Sequence, residues 1–296
     1  MILTDAHPHP TLLLPMQQHP AFVNALNSMG REAASHTLRV GGKRVGHAAV
    51  ISRRLPLFGR IGMVSHGPVW SASASFDERV RAFKALAQHG IRIMNSVKGD
   101  DAALAAAGFR LIATPATVAQ VDIQTDVKRQ RQRMHSKWRN RLLKAESNGI
   151  TWRCFPFDGD ETHWLLAEEA RQQRSKRYRG LPPALSAAWV RANHGNARLF
   201  VAYDGRTRIA AMLFLRHGKV ATYQIGWSGH LGRETNAHNL LLSQAISMMA
   251  ERGIKRLDLG TLDTSHAPGL ARFKLGCGAK PVELGGTWIN LRTPRN

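Results

Sequence analysis

The sequence predicts an α+β protein built from two similar units in tandem, and two observations carry that reading. The first is an internal repeat. Pro20, Ala21 and Phe22 return as Pro183, Ala184 and Leu185, an offset of 163 residues. Val40-Gly41-Gly42-Lys43 returns as Tyr203-Asp204-Gly205-Arg206, and Gly90-Ile91-Arg92 as Gly253-Ile254-Lys255, in the same register. Further on, Gly108-Phe109-Arg110 and Thr117-Val118 match Gly278-Ala279-Lys280 and Thr287-Trp288 at an offset of 170. The second copy therefore carries seven extra residues between Asp258 and Gly278. The second observation is element order. Each copy reads as a run of antiparallel strands, then a helix, then a further strand, which gives mixed, largely antiparallel sheets flanked by helices.

In the first copy, residues 1–15 read as an irregular arm. Phe22, Ala25, Leu26 and Met29 share one face of a short helix over 20–29. Strands over 36–40 and 44–54 meet at a Gly41-Gly42 hairpin turn, and a third covers 59–65 before the Gly67-Pro68 loop. A helix over 76–88 stops at Gly90, a strand follows over 91–95, then a helix over 101–107 and strand pieces over 109–123. The second copy repeats this order: a helix over 184–191; strands over 198–203, 208–216 and 220–227; a helix over 236–252 stopped by Gly253; a strand over 256–259. A helix over 269–275 and a strand over 281–291 complete it.

Between the copies, a single helix is expected over 126–148, capped by Thr125 or Asp126. Val127, Met134, Trp138, Leu142 and Ala145 form its apolar stripe. The other face carries Lys128, Arg129, Arg131, Arg133, Lys137, Arg139, Arg141 and Lys144. A solvated face usually mixes signs, so this one reads equally as a structural connector and as a grip for phosphates. A helix over 160–178 follows and ends in a basic run at Arg171, Arg174, Lys176, Arg177 and Arg179. The domains expected are 1–125, a scaffold, and 126–296, the working half.

At 296 residues the chain has room for two cores. Its longest apolar stretches are far short of the ~20 residues of a membrane span. No export signal is visible, so a cytoplasmic location is expected. Cys154 and Cys277 form neither a disulfide framework nor a metal-ligand pattern, and no metal is expected. Lys and Arg outnumber Asp and Glu by 42 to 20, a net charge of +22. Such a field attracts tRNA or another polyanion through residues 128–144, and admits peripheral contact with an anionic membrane.

The sequence lacks the phosphate-loop, nucleophile-elbow, His-Glu-x-x-His and dinucleotide signatures. The chemistry-bearing residues concentrate in the second copy. Gly229, Gly232 and Arg233 lie in a strand-to-helix loop, and Asn236 and Asn239 open the following helix. Backbone N–H groups, close approach at glycine and a guanidinium make this a candidate pyrophosphate cradle. Asp263 and His266 lie beyond the next strand, in the insertion, as candidate acid–base groups. Lys274 aligns with Leu104, an apolar position turned cationic. Tyr178, Tyr223 and Trp227 are candidates for lining an acceptor cleft.

Several motifs resemble the tandem-domain FemAB-like branch of the GNAT acyltransferase superfamily. They are Lys137-Trp138-Arg139-Asn140, Leu257-Asp258-Leu259-Gly260, Gly269-Leu270-Ala271-Arg272-Phe273-Lys274 and Gly276-Cys277-Gly278. The resemblance implies two tandem GNAT-like domains with chemistry near the second. It implies acyl transfer to an amine on a small molecule or peptide, with acyl-CoA as co-substrate and no tightly bound cofactor. It equally implies the branch's other donor, aminoacyl-tRNA, with a cell-wall precursor or peptide as acceptor. Lys274 matches the lysine of the branch's Phe-Lys motif. A non-enzymatic polyanion-binding module on the same fold is the remaining reading.

Overall fold

A computed structural model describes residues 2–5, 13–56, 59–176 and 180–291. The chain forms two compact units, one of Met1–Thr117 with Glu283–Asn296 and one of Val118–Val282.

The chain begins with β1 (Ile2–Asp5), a strand within the expected irregular arm, and a 3-10 turn at Met16–Gln18. Helix α1 (Pro20–Ser28) starts on a proline, whose missing N–H costs nothing at that position, and His19 Nδ1 accepts from Ala21 N. Strands β2 (Glu32–Val40) and β3 (Lys43–Leu55) turn on Gly41 and Gly42, both at positive φ. β4 (Gly59–Ser65) and β5 (Val69–Trp70) follow. Helix α2 (Phe76–Gln88) opens with a capping box in which Ser75 and Glu78 satisfy each other's backbone N–H groups. β6 (Ile91–Asn95), α3 (Asp101–Ala106), β7 (Arg110–Ala113) and β8 (Thr117–Asp122) end the first copy. Phe83, Leu86, Met94, Leu104 and Trp288 are in the first unit's core.

The single connecting helix expected over 126–148 is two helices, α4 (Val127–Gln132) and α5 (Ser136–Ser147). The break has a cause. His135 donates its backbone N–H to Gly276 O, and its ring Nδ1 accepts from Lys137 N as a new cap. Met134, Trp138, Leu142 and Ala145 are buried as the stripe predicts, whereas Val127 is exposed. β9 (Thr151–Pro156) is an element the sequence reading does not contain. α6 (Trp164–Lys176) starts later than expected, after an Asp160–Thr162 turn. Then come α7 (Ala184–Ala192), β10 (Ala197–Asp204), β11 (Thr207–His217), β12 (Val220–Ser228), α8 (His230–Glu234) and α9 (Ala237–Glu251). β13 (Arg256–Thr261), α10 (Pro268–Gly276), β14 (Lys280–Glu283) and β15 (Thr287–Ile289) complete the chain. The strand expected over 281–291 is thus two strands, and they lie in different sheets.

The first sheet has the order β1-β2-β3-β4-β6-β15-β7 and the second β9-β10-β11-β12-β13-β8-β14. The two orders correspond strand for strand, with parallel pairing at β4–β6 and at β12–β13 and antiparallel pairing at β1–β2, β2–β3, β3–β4, β6–β15, β7–β15, β9–β10, β10–β11, β11–β12 and β8–β13. The repeat is therefore structural as well as sequential. The last strand of each copy is exchanged. β15, from the second copy, sits between β6 and β7, and β8, from the first, sits beside β13. This exchange moves the division of the chain from the expected 125/126 to Thr117/Val118 and returns Glu283–Asn296 to the first unit. A repeat reveals which strands are equivalent but not which sheet each one joins. Among the described residues no helix is long and apolar enough to cross a membrane.

Candidate active site

The second unit holds a cleft that its sister has closed. In the first unit β4 pairs with β6 from Gly62↔Ile91 through to Ser65↔Asn95, the ends of both strands. Gln18 seals that end further, donating to Ser65 O at 2.7 Å and accepting from Ala49 N at 2.9 Å. In the second unit the parallel pairing of β12 with β13 stops at Thr222↔Asp258, although β12 continues to Ser228 and β13 to Thr261. A bulge in β12 opposite Leu213/Phe214 accompanies the divergence. The edge of β12 beyond Thr222 thus lacks a β13 partner, and extended backbone of this kind can hydrogen-bond a ligand.

At the end of β13, Asp258 Oδ1 accepts from Gly260 N at 2.7 Å, and Gly260 takes a φ of 76° that favours glycine. This turn aims Thr261 O at α10, where Lys274 Nζ donates to it at 2.7 Å. Lys274 is only 6% exposed. Burial pulls its ammonium down to about 8, against the pull of the nearby Asp258 carboxylate, which favours the charge. One N–H is engaged by Thr261 O, so the other two are available to a substrate oxygen.

Asp263 and His266 are brought together, as a surface pair. Asp263 Oδ1 accepts from the backbone N–H groups of His266 (2.7 Å) and Ser265 (3.0 Å), and His266 Nδ1 lies 3.1 Å from Oδ2. The His266 N–H in particular holds the Asp263 carboxyl below the usual range. Such a carboxylate organises a turn and orients an imidazole; it is a weak base in its own right.

The loop from β12 to α9 is tightly built. Gly229 N donates to Ile209 O at 3.0 Å. A side chain at Gly232 would overlap the Ile209 carbonyl oxygen and come within 2.7 Å of Ser228 Oγ, so glycine is required. Arg233 folds its guanidinium back to Ser228 O at 2.7 Å and remains exposed. Asn236 adopts the left-handed conformation (φ 57°) that starts α9. Asn239 is buried with no partner for its side-chain N–H groups among the described residues.

Of the three aromatic candidates, Tyr178 lies outside the described residues. The Tyr223 phenol fills the space where a side chain at Gly226 would stand, and burial, with the Glu169 charge beside it, raises its pKa. Trp227 packs edge-on against Trp164 at 5.3 Å and donates to Glu168 at 3.1 Å. Helix α6 thus lies on β12, and Gln172 adds a bond to Gly226 O at 3.1 Å. Sequence reasoning misses two residues here. Glu169 is a carboxylate only 6% exposed that accepts from Gln173. The Glu168-Glu169 pair in an otherwise basic helix is its signal. His238 carries no such signal; its ring lies 2.8 Å from Trp227 O and beside Phe273, and burial lowers its pKa.

Comparison with known proteins places this geometry. The family described as Acetyltransferase (GNAT) domain matches residues 128–280, more than half of the chain. No curated protein matches. Among solved structures, FemX superposes with a TM-score of 0.71 at 14% identity, over 92% of this chain and 93% of that one. L-PGS from Bacillus licheniformis gives 0.54 at 15%, over 92% and 88%. A tandem GNAT protein from the clavulanic acid biosynthesis pathway gives 0.52 at 14%, over 90% and 86%. Identities this low show a shared fold, which agrees with the two tandem sheets described above. With the cleft, the Phe-Lys segment and the matched domain all in one unit, the chain belongs to the Acetyltransferase (GNAT) family, a family of acyltransferases.

Proposed function

We propose that the second unit moves an acyl group from an acyl-CoA-type thioester to an amine on a small molecule or peptide. The observation that carries this is the divergence of β12 from β13 with a buried ammonium at its mouth, set against the sealed β4–β6 pair of the sister unit. The donor's pyrophosphate would rest on the first-turn N–H groups of α8 between Gly229 and Gly232, the Gly229 N–H itself being taken by Ile209 O, with Arg233 close by and the start of α9 at Asn236 and Asn239 behind it. The thioester carbonyl would point at Lys274, whose two available N–H groups stabilise the oxyanion as the amine attacks. The attacking nitrogen loses a proton, to His266 Nε2 with Asp263 fixing the ring through Nδ1, or to water; the thiolate leaves with CoA. Tyr223 and Trp227 would form the acceptor wall. No tightly bound cofactor is needed for this chemistry, and a cytoplasmic location fits a CoA donor.

A second reading keeps the fold and makes aminoacyl-tRNA the donor. On α4 and α5, Arg131 pairs with Glu146 and Arg129 with Asp126, while Lys128, Arg133, Lys137, Arg139, Arg141 and Lys144 have no carboxylate partner among the described residues. That row matches a phosphate backbone in charge.

One thermal-shift series separates the two, because a ligand stabilises the state that binds it. Acetyl-CoA and longer acyl-CoAs are expected to raise Tm, and bulk tRNA at low salt is expected not to. The reverse pattern would transfer the conclusion to the tRNA donor. No shift with either class would remove both.

A further inference from the structure

A second cavity lies at the other end of the same sheet. It has a volume of about 140 Å³ and is bounded by Gly195, Asn196, the start of β10 and β12, the end of β11 and the C-terminal turn of α9. Helix α9 alone, at 1.5 Å per residue, separates this end from the cleft by about 20 Å. Phe214, Ala221, Met249 and Ile254 make its floor. Arg198, Arg216 and Arg252 make its rim.

Three guanidiniums around one small cavity repel one another unless an anion joins them. Among the described residues none of the three pairs with a carboxylate. The Arg216 and Arg198 side chains are nonetheless held. Arg216 Nε donates to Asn196 Oδ1 at 3.0 Å, which fixes the plane of its fork and leaves the terminal N–H groups unused. Arg198 Nη1 donates to Ala197 O at 3.1 Å. Arg252 caps α9 through its backbone N–H, which goes to Met248 O. The neighbouring carbonyls of Met249 and Ala250 accept from Ile254 and Gly253, so the helix end presents no free acceptor from those residues to oppose an anion. Arg198 and Arg252 also share the surroundings of the half-buried Cys154 thiol, on which both act electrostatically.

We propose that this cavity binds a phosphate monoester, with the phosphate on Arg198, Arg216 and Arg252 and the first carbons of the ester on Phe214 and Met249. A tetrahedral dianion uses several forks at once, which a single carboxylate does not. The volume sets the size of the ligand. Pockets for drug-sized ligands run to roughly 300 Å³ and above, so the enclosed part of this one holds a headgroup and a short stub. The same headgroup exists on soluble metabolites and on phosphatidic acid.

Calorimetric titration of the full chain with inorganic phosphate, against chloride at matched ionic strength, tests the site. Saturable heat with phosphate is expected, and a tenfold or greater loss of affinity in Arg216→Gln/Arg252→Gln. Arg206→Gln, an exposed arginine in the β10–β11 turn, serves as the charge control and is expected to leave affinity unchanged. Equal affinity in the double variant, an equal loss in the control, or the same heat with chloride would each overturn the proposal. Co-sedimentation with phosphatidylcholine vesicles, with and without phosphatidic acid, then assigns the source. Loss of phosphatidic-acid binding in the double variant assigns a lipid headgroup, and retained phosphate binding without vesicle binding assigns a soluble ester; both uphold the site.

Discussion

Lys274 in α10 stands where Leu104 stands in α3, the one 6% exposed and the other fully buried. One copy completes its core with a methyl-tipped side chain at this point and the other buries an ammonium. A buried cation in place of leucine is costly to the fold and is retained where it does chemistry. Lys274→Met is therefore expected to cut acyl transfer by roughly 100-fold or more, the scale for loss of an oxyanion donor, while Tm stays level or rises. Steady-state rates and thermal melts on the same preparation check both halves. A large fall in Tm with activity retained would make the residue structural.

The same ammonium sets a pH limit. Its pKa in the folded chain is about 8, so the charged form is lost as pH rises through that value. Transfer that depends on the cation is expected to decline above pH 8. The profile of kcat/KM between pH 6.5 and 9.5 reads this directly, and Lys274→Met is expected to lose the alkaline limb along with most of the rate.

Gly232→Ala places a methyl group against the Ile209 carbonyl and Ser228 Oγ. Overpacking of this kind costs about 1–3 kcal/mol, and the displaced loop is expected to raise KM for the donor. Gly269→Ala is the matched control, since a side chain there meets nothing within 4 Å. Urea unfolding of both variants, with donor titrations, separates the local effect from the general one.

Acid is expected to unfold the first unit early. Burial pulls His19 and His47 down to about 4, and the two rings oppose each other's charge. Unfolded histidines protonate near 6.5, so the unfolded chain takes up more protons between 6.5 and 4, and stability falls with pH across that window. At ~1.4 kcal/mol per unit, the loss is roughly 3 kcal/mol for each ring across the window. Asp100 works the other way. Burial among Trp70 and Arg79 raises it to about 6, so its contribution is present at low pH and fades as pH rises through 6. Denaturant midpoints from pH 7 to 4 are expected to fall less steeply in His47→Gln and more steeply in Asp100→Asn.

Local pattern was enough to place most elements. The helix at 76–88 and the strands at 59–65 and 91–95 fall where capping, period and glycine stops put them, because each carries its own signal. The break at His135 was not legible, since it answers to Gly276 O far along the chain. Nor was β9, whose pairing with β10 is its only reason to be a strand. In the site, Lys274 was visible against Leu104 as a change of chemistry within a repeat. The burial of Glu169 and the hold of Trp227 O on His238 come from helices laid across β12, which no local spacing encodes.

The exchange of β8 and β15 has a consequence for how the molecule comes into being. The strand that separates β6 from β7, and whose Trp288 completes the first core, is synthesised only after the whole second unit. The ribosome releases the first unit unfinished, with a gap in its sheet, and that gap stays open until the second unit has been made. The first unit therefore matures only after the second has been made, and a nascent chain stalled short of Thr287 holds an unpaired strand edge of the kind that chaperones guard and aggregates recruit.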